Sequence, residues 1–277
     1  MDLQARYEAI AFGINDGSLS FPTSVGVVQK IQRALDDPNC SADHATRLIL
    51  AEPLLAAKIV KIANSVAYNP YGCEITDLRT AVSRLGFGTL RTLAMATLTR
   101  QMAGASHGKL QKQINQLWEH TAYVASLAHL LARRVTHVDP EAALFAAIIH
   151  EIGGFYLLSL AEKEPELLDE THASWLEFGE VAIGRAILQH LDVPARIVEA
   201  IEAYWDGYLA MPAATLGDTV LLAEELAPVQ SPLRHPLGCT GDSALVAQLD
   251  MLIGEEALSD ILKEADEEVR SLTAALQ

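Results

Sequence analysis

The sequence predicts an all-α protein, and three features of the chain lead to that prediction. Apolar residues recur at spacings of three and four along most segments, as they do on the buried face of an amphipathic helix. Small polar residues, prolines and glycines stand where such helices would begin or end. No segment sustains the alternation of apolar and polar residues that a half-buried strand requires, and no solenoid repeat is visible.

The N-terminal part of the chain predicts a succession of helices with recognisable ends. Ser41 is placed to cap one of them, because its hydroxyl can accept from a free amide of the first turn. Pro53 stands at the start of the next helix, where its missing N–H costs nothing. Thr76 or Asp77 caps a further helix, and Gly86 lies just past its end, where a left-handed residue would close it.

A run of glycine and small residues at 104–108 separates this part from a second set of helices. We therefore predict an N-terminal helical region over 1–108, a second helical region over 109–210 and a C-terminal extension over 211–277 that packs on the body. An amphipathic helix with apolar residues from Leu258 to Leu276 supports the extension, because its apolar stripe has to be buried.

The second region begins with a helix that has one polar member in its apolar stripe, namely His120. Asp139 and Pro140 then predict the start of a helix whose end carries His150 and Glu151. Two further helices are predicted over 178–191 and 194–205. Asp192 is expected to cap the second, and Gly184 marks a place in the first where another backbone comes close.

Composition excludes several classes of function. The chain has 36 acidic and 20 basic residues, a formal charge of -16, so we expect neither general nucleic-acid binding nor binding to anionic membranes. Cys40, Cys73 and Cys239 share no metal-ligand spacing and are expected to be reduced thiols in a cytoplasmic protein. The N-terminus lacks the basic flank and apolar run of a secretion signal, and no apolar stretch is expected to span a membrane.

Several motifs resemble the HDOD family, a group of bacterial signalling proteins. In order, they are Ser20-Phe21-Pro22-Thr23, Ala51-Glu52-Pro53-Leu54, Lys61-Ile62-Ala63-Asn64-Ser65 and Ala81-Val82-Ser83-Arg84-Leu85-Gly86. The likeness extends from about residue 19 to 226, with Glu52 where the family favours Asp. It implies an N-terminal helical region followed by a degenerate HD-like region, in a protein that is not an enzyme.

Each of these motifs also has an ordinary structural interpretation. Asn64 and Ser65 can end a helix, since an Asn amide can satisfy the free carbonyls there, and Glu52 with Pro53 can cap the next one. The alternative is that Asn64 and Ser65 lock the two regions together or contact a partner.

The segment Ala147-Ile148-Ile149-His150-Glu151-Ile152-Gly153-Gly154 is similar to the metal-binding core of the HD superfamily. That superfamily holds divalent metals with a lone His, a His-Asp doublet and a later Asp. The resemblance implies the residual set His120, His150, Glu151 and Glu224, with Glu in both places of Asp. Gly154 stands where a Lys often follows, and further metal-binding histidines are missing: Glu180 occupies one of those positions and Tyr204-Trp205 another.

Three interpretations remain open at this point. The first is a non-catalytic regulatory module with no cofactor, which acts on other signalling proteins or a second copy of itself. The second is a degenerate metal-dependent phosphohydrolase of nucleotides or cyclic dinucleotides, and the third is a ligand sensor that uses the residual pocket without turnover. His120 can also be an ordinary core histidine, and Gly153-Gly154 most simply end a helix. An open cleft beside His150 favours an enzyme or a sensor, whereas a pocket filled by side chains favours an adaptor.

Overall fold

The computed structural model describes residues 2–17, 25–50, 53–65, 68–70, 72, 75–102, 108–169, 171–234 and 254–276, and every regular element within them is helical. The all-α prediction is confirmed. In chain order the helices are α1 (Leu3–Asn15), α2 (Val25–Asp36), α3 (Ala42–Ile49), α4 (Pro53–Ala63), α5 (Leu78–Met102), α6 (Gly108–Leu131), α7 (Pro140–Ile149), α8 (Ile152–Ala161), α9 (Glu180–His190), α10 (Ala195–Asp206), α11 (Leu216–Leu226) and α12 (Glu255–Leu276).

Most of the predicted helix starts are found where the sequence indicated them. The Ser41 hydroxyl accepts from the amide of His44, 3.1 Å away, and α4 begins at Pro53. Asp77, rather than Thr76, caps α5, since its carboxylate accepts from the Thr80 amide at 2.9 Å. Asp139 caps α7 in the same way. These side chains occupy amide donors that the first helical turn leaves free. Glu52 lies outside the described residues.

Of two predicted helix boundaries, one is confirmed in part and the other is wrong. The helical turns that begin at Leu78 end at Gly86, whose positive φ of 74° favours glycine as predicted, but its ψ of 168° is extended, and a second helical stretch of α5 follows directly after this kink. Asp192 does not cap α10, which follows Pro194 without a side-chain cap. Its carboxylate instead accepts from Arg33 of α2 at 2.6 Å. A contact with a distant helix thus occupies the carboxylate that the local sequence assigned to the start of α10.

Asn64 joins the end of α4 to the segment before α5. Its amide nitrogen donates to the carbonyls of Val60 at 3.0 Å and Ile75 at 2.7 Å, and its oxygen accepts from the Ile75 amide at 2.8 Å. The carbonyl of Ser65 accepts from the amides of Tyr68 and Asn69. These bonds match the structural interpretation of the motif, because they satisfy backbone groups at a helix end.

Helix α6 passes through the centre of the fold and contacts α7, α8, α11 and α12. Leu117, Val124, Leu127 and Leu131 on its apolar stripe are all fully buried. The glycine-containing run that precedes it lies outside the described residues, apart from Gly108. Because so many helices meet α6, its side chains set the geometry of the second region.

The N-terminal helices pack closely on the second region. Helix α5 contacts α7 and α8, and α12 contacts both α4 and α6. Helix α1 packs on α9 and belongs spatially to the second region. The Tyr7 hydroxyl of α1 donates to the Leu167 carbonyl at 2.6 Å, and its ring meets Trp175 edge-on. The division at 108 and 210 stays a prediction, but the two regions share extensive contacts.

One segment corrects the expectation that no apolar stretch is long enough to cross a membrane. Pro140–Ala161 has 22 residues and a mean hydropathy of 1.7, which meets the criterion by length and composition. It is divided into α7 and α8, and 83% of its most apolar window is buried inside the protein. This apolarity therefore serves the packing of two core helices.

Candidate functional site

The four predicted site residues come from three places in the chain and meet in the second region. His120 lies midway along α6, His150 and Glu151 form the junction between α7 and α8, and Glu224 lies near the end of α11. Helices α6, α7 and α11 contact one another directly. The small residues Ala143, Ala146 and Ala147 are buried on α7 and let it approach its neighbours closely.

The two imidazoles are oriented by backbone carbonyls. His120 Nδ1 lies 2.8 Å from the Val229 carbonyl oxygen, and His150 Nδ1 lies 2.6 Å from that of Ala147. A carbonyl can only accept, so Nδ1 carries the proton in both rings and Nε2 faces the site. His120 Nε2 is 3.1 Å from Glu224 Oε2, and His150 Nε2 is 3.5 Å from the same oxygen.

The site is buried, and its charges are strongly coupled. His120, His150 and Glu151 are 1%, 2% and 4% exposed, and the Glu224 side chain is 14% exposed. Burial by itself would lower the pKa of His120, but the Glu224 and Glu151 carboxylates outweigh it and raise that pKa to about 9. Burial would raise the pKa of Glu224, but His120 and His150 hold it well below its usual range. The protein without metal thus holds an ion pair between His120 and Glu224.

The donor set fits one divalent metal ion. Ligand atoms of His120, His150 and Glu151 all lie within 4.8 Å of one another. Within the described residues, Nε2 of both histidines, Glu151 Oε1 and Glu224 Oε2 are buried without an aligned hydrogen bond. When ligand atoms lie about 2.1 Å from one ion, they are separated from one another by roughly 3–4 Å. The separations between the donor atoms of this site approach that range. Two imidazole nitrogens and the Glu151 carboxylate would hold the ion, with Glu224 Oε2 beside the two Nε2 atoms. The ion would supply an activated water.

The prediction that Gly153 and Gly154 end a helix is wrong, because both residues lie in the first turn of α8. A Cβ on Gly153 would lie 3.2 Å from the backbone of Gly184, so the close approach predicted at Gly184 is confirmed. A Cβ on Gly154 would lie only 2.6 Å from Leu233 and 3.2 Å from the Glu151 carboxylate. Both glycines are therefore needed for packing beside the site.

The segment 229–234, which follows α11, covers the site; we call it the covering segment. Its Val229 carbonyl bonds His120, its Gln230 carbonyl accepts from Gln116 of α6 at 3.0 Å, and Leu233 is fully buried against Gly154. The space next to Gly154, where the resemblance to the HD superfamily implies a lysine side chain, is thus filled by the aliphatic side chain of Leu233.

Arg234 fills the adjoining space and was not foreseen from the sequence. Its guanidinium lies 4.1 Å from the centre of the Tyr204 ring and donates to Glu180 at 3.1 and 3.3 Å. Tyr204 is fully buried and meets the His150 ring edge-on, with 5.0 Å between ring centres. Glu180 and Tyr204, where the resemblance to the HD superfamily implies histidines, therefore bind an arginine. No local pattern signals this role, because Arg234 lies in a loop far from both in sequence.

Comparison with solved structures supports the helical fold. A protein of Shewanella amazonensis provisionally named a metal-dependent phosphohydrolase matches with TM-score 0.72, 21% identity and full coverage of both chains. An HDOD domain protein of Geobacter sulfurreducens with unknown function matches with TM-score 0.65 and 22% identity over 98% of this chain and 97% of its own. A provisionally named signal transduction protein of Marinobacter aquaeolei matches with TM-score 0.64 and 19% identity over 93% and 60%.

Sequence comparison identifies the family. An uncharacterized protein of Treponema pallidum is 20% identical over 215 residues, 73% of this chain, and the aligned part spans 40% of that relative's length. The HDOD domain model matches residues 21–206, which include α2 to α10 and both histidines of the site. The chain is a member of the HDOD domain family.

Proposed function

We propose that this protein is a non-catalytic signal-transduction module that acts through contacts with other proteins. The observation that carries the proposal is the filled pocket: Leu233 and Arg234 occupy the space beside the four buried donors. Hydrolysis would need a phosphate next to a metal-bound water, and here side chains take the phosphate's place. A pocket of this kind stabilises the fold and leaves the surface of the helices to transmit the signal.

Two further observations agree with a regulatory role. The Marinobacter aquaeolei structure with the same fold is provisionally named a signal transduction protein. The net charge of -16 disfavours nucleic acid and anionic membranes as targets and leaves proteins as the better candidates, among them a second copy of this chain. The chain spans 40% of the length of the Treponema pallidum relative. The proposed function therefore concerns this region and not the activity of a longer protein that contains it.

Metal-dependent phosphohydrolysis is the second candidate. The cluster of His120, His150 and Glu151 favours it, because their ligand atoms lie within 4.8 Å of one another and include buried atoms without an aligned hydrogen bond. The Shewanella amazonensis protein with the same fold, 21% identical, is provisionally named a metal-dependent phosphohydrolase. Against it stand the covering segment and the replacement of both Asp ligands by Glu, whose extra methylene moves each oxygen.

Activity measurements with matched variants test the proposal. The purified protein is incubated with bis(p-nitrophenyl) phosphate, a cyclic dinucleotide or nucleoside phosphates, each with Mn²⁺, Fe²⁺ or Mg²⁺. We expect product formation no faster than in the absence of protein. Metal-dependent turnover that disappears in both His120→Ala and His150→Ala, while an exposed control such as His44→Ala keeps it, would overturn the proposal and establish the hydrolase.

A further inference from the structure

A cavity of about 210 Å³ lies between the two regions, separate from the site described above. Helices α4 and α5 form one wall, α6 and α7 form the opposite wall, and Glu268 of α12 borders it. None of the four donors lines it, although Ile148 does, two residues before His150 on α7. A cavity of this size suits a small organic molecule better than a nucleotide.

The described residues that line the cavity divide into an apolar and a polar side. Ile62, Leu93 and Ile148 supply aliphatic surface from three different helices. Thr92 and Ser126, both almost fully buried, add hydroxyl groups from the opposing walls. An apolar body with a few converging polar groups is the usual composition of a small-molecule site.

The polar side carries two carboxylates. Glu141 accepts from the Thr89 hydroxyl at 3.3 Å, and Glu268 lies 3.9 Å from Nδ1 of His129. The pKa of Tyr68 is raised to about 12. Burial is the largest cause, the charge of Glu141 comes next, and the charge of Glu268 contributes a smaller part. Both carboxylates therefore lie near Tyr68 at one end of the cavity, whose lining also includes His129 and Arg133.

We propose that the cavity binds a small organic cation, with its ammonium group between Glu141 and Glu268 and its apolar body against Ile62, Leu93 and Ile148. Hydrogen bonds from an ammonium to carboxylates are charge-assisted and are the strong ones in a half-buried site. An anion would meet two like charges at the same place. Arg133, the guanidinium on the lining, is exposed at the rim, where water screens it.

The position of the cavity gives such a ligand a means to influence the protein. Its walls belong to helices of both regions, so a bound molecule contacts both and favours the arrangement in which they are closely packed. Binding in the cavity does not depend on whether the HD-like pocket is catalytic, and it can be measured directly.

Calorimetry and saturation-transfer NMR with the full chain test the proposal. The cationic probes are butylamine, 2-phenylethylamine and tryptamine, and the matched uncharged and anionic probes are 2-phenylethanol and 3-phenylpropanoate. We expect at least one amine to saturate with a Kd below about 10 mM, the alcohol to bind about tenfold more weakly than 2-phenylethylamine, and the anion not to saturate in this range.

Variants of the lining locate the binding. Glu141→Gln keeps the volume and removes one charge, and we expect it to weaken amine binding about tenfold. Ala96→Leu fills the cavity from α5 and should abolish binding, with circular dichroism to verify folding. Glu264→Gln is the matched control, since Glu264 lies on α12 outside the lining and pairs with Arg134. No amine saturating below about 10 mM, amine binding unaffected by both lining variants, or an anion that binds as tightly as the amine would each overturn the proposal.

Discussion

His120 shows how one buried side chain can hold several charges in place. Its ring is 1% exposed, its Nδ1 is fixed by the Val229 carbonyl, and its Nε2 faces Glu224 and Glu151. If the imidazole is removed, two carboxylates remain in the interior with less positive charge nearby. Such uncompensated charges usually cost several kcal/mol, whereas an intact buried pair adds little net stability.

We expect His120→Gln to lower the free energy of unfolding by about 3 kcal/mol, because it leaves the Glu224 carboxylate without its cationic partner. Denaturant unfolding at pH 6.5 measures the change. His44→Gln is the control, since His44 is exposed and its loss should change stability by less than about 0.5 kcal/mol. Equal stability of the two variants would contradict the ion pair.

The same pair predicts a dependence of stability on pH. The pKa of His120 rises from 6.5 in the unfolded chain to about 9 in the folded protein, so its contribution is complete below pH 6.5 and is lost as the pH rises towards 9. Glu224 has a lowered pKa, so its contribution is present above 4.5 and is lost in acid. Unfolding measured from pH 6.5 to 9 should show a decline that is smaller in His120→Gln. Parallel curves would exclude His120 as its source.

At the scale of elements, the packing of α8 against the covering segment depends on the missing side chain of Gly154. A Cβ there would lie 2.6 Å from Leu233 and 3.2 Å from the Glu151 carboxylate, so a side chain at this position would force Leu233 to shift. Gly154, one of the two glycines that sequence alone assigned to a helix end, thus leaves space for a side chain from a distant loop. Local pattern could not indicate this, because the partner is some eighty residues away.

A double-mutant cycle measures this contact. We expect Gly154→Ala to destabilise the protein by about 1–3 kcal/mol through overpacking, and Leu233→Ala to cost about 2–5 kcal/mol through the cavity it leaves. In the Leu233→Ala background, Gly154→Ala should cost no further stability or should even stabilise the protein. Alanine is the better helix former once the clash with Leu233 is gone. Simple additivity in denaturant unfolding would show that the two residues do not meet.

Helix α12 offers a matched pair of neighbouring residues. Ile261 is 1% exposed on the face towards the body, whereas Leu262 is 37% exposed. Ile261→Ala should therefore cost about 2–5 kcal/mol of stability and Leu262→Ala less than about 1 kcal/mol. Thermal or denaturant unfolding distinguishes them, and similar losses at both positions would mean that α12 does not dock as described.

For the molecule as a whole, the sequence predicted the helical class, most helix starts and the residues that meet at the site. Helix period and caps are local signals, and the structure reproduces most of the elements they indicate. The set that includes His120, His150 and Glu151 was instead implied by the resemblance to the HD superfamily, and the structure brings these three residues together. Asp192 was misjudged and the covering segment was missed. In both cases a contact between distant parts of the chain is involved, Arg33 with Asp192 and Leu233 with Gly154, and a single sequence carries no direct record of it.

We expect the chain to unfold in one cooperative transition. Helix α1 packs on α9, α5 lies against α7 and α8, and α12 joins α4 to α6, so neither region keeps a complete core without the other. Differential scanning calorimetry should give equal calorimetric and van't Hoff enthalpies. Two resolved transitions, or a limited proteolysis product that stays folded alone, would mean that the regions are independent.

Arg234 has a consequence for how the protein depends on its surroundings. Its guanidinium is held over Tyr204 and against Glu180, beside the acidic groups of the site, so the chain carries its own counter-ion on a covalent tether. A metal ion in that role could be withdrawn by a chelator or lost when supply is scarce, but a tethered cation cannot. We expect EDTA to leave the Tm of the purified protein unchanged, whereas Arg234→Ala lowers it. A clear fall of Tm in EDTA would mean that a metal ion taken up from the solution, rather than Arg234, balances the acidic groups of the site.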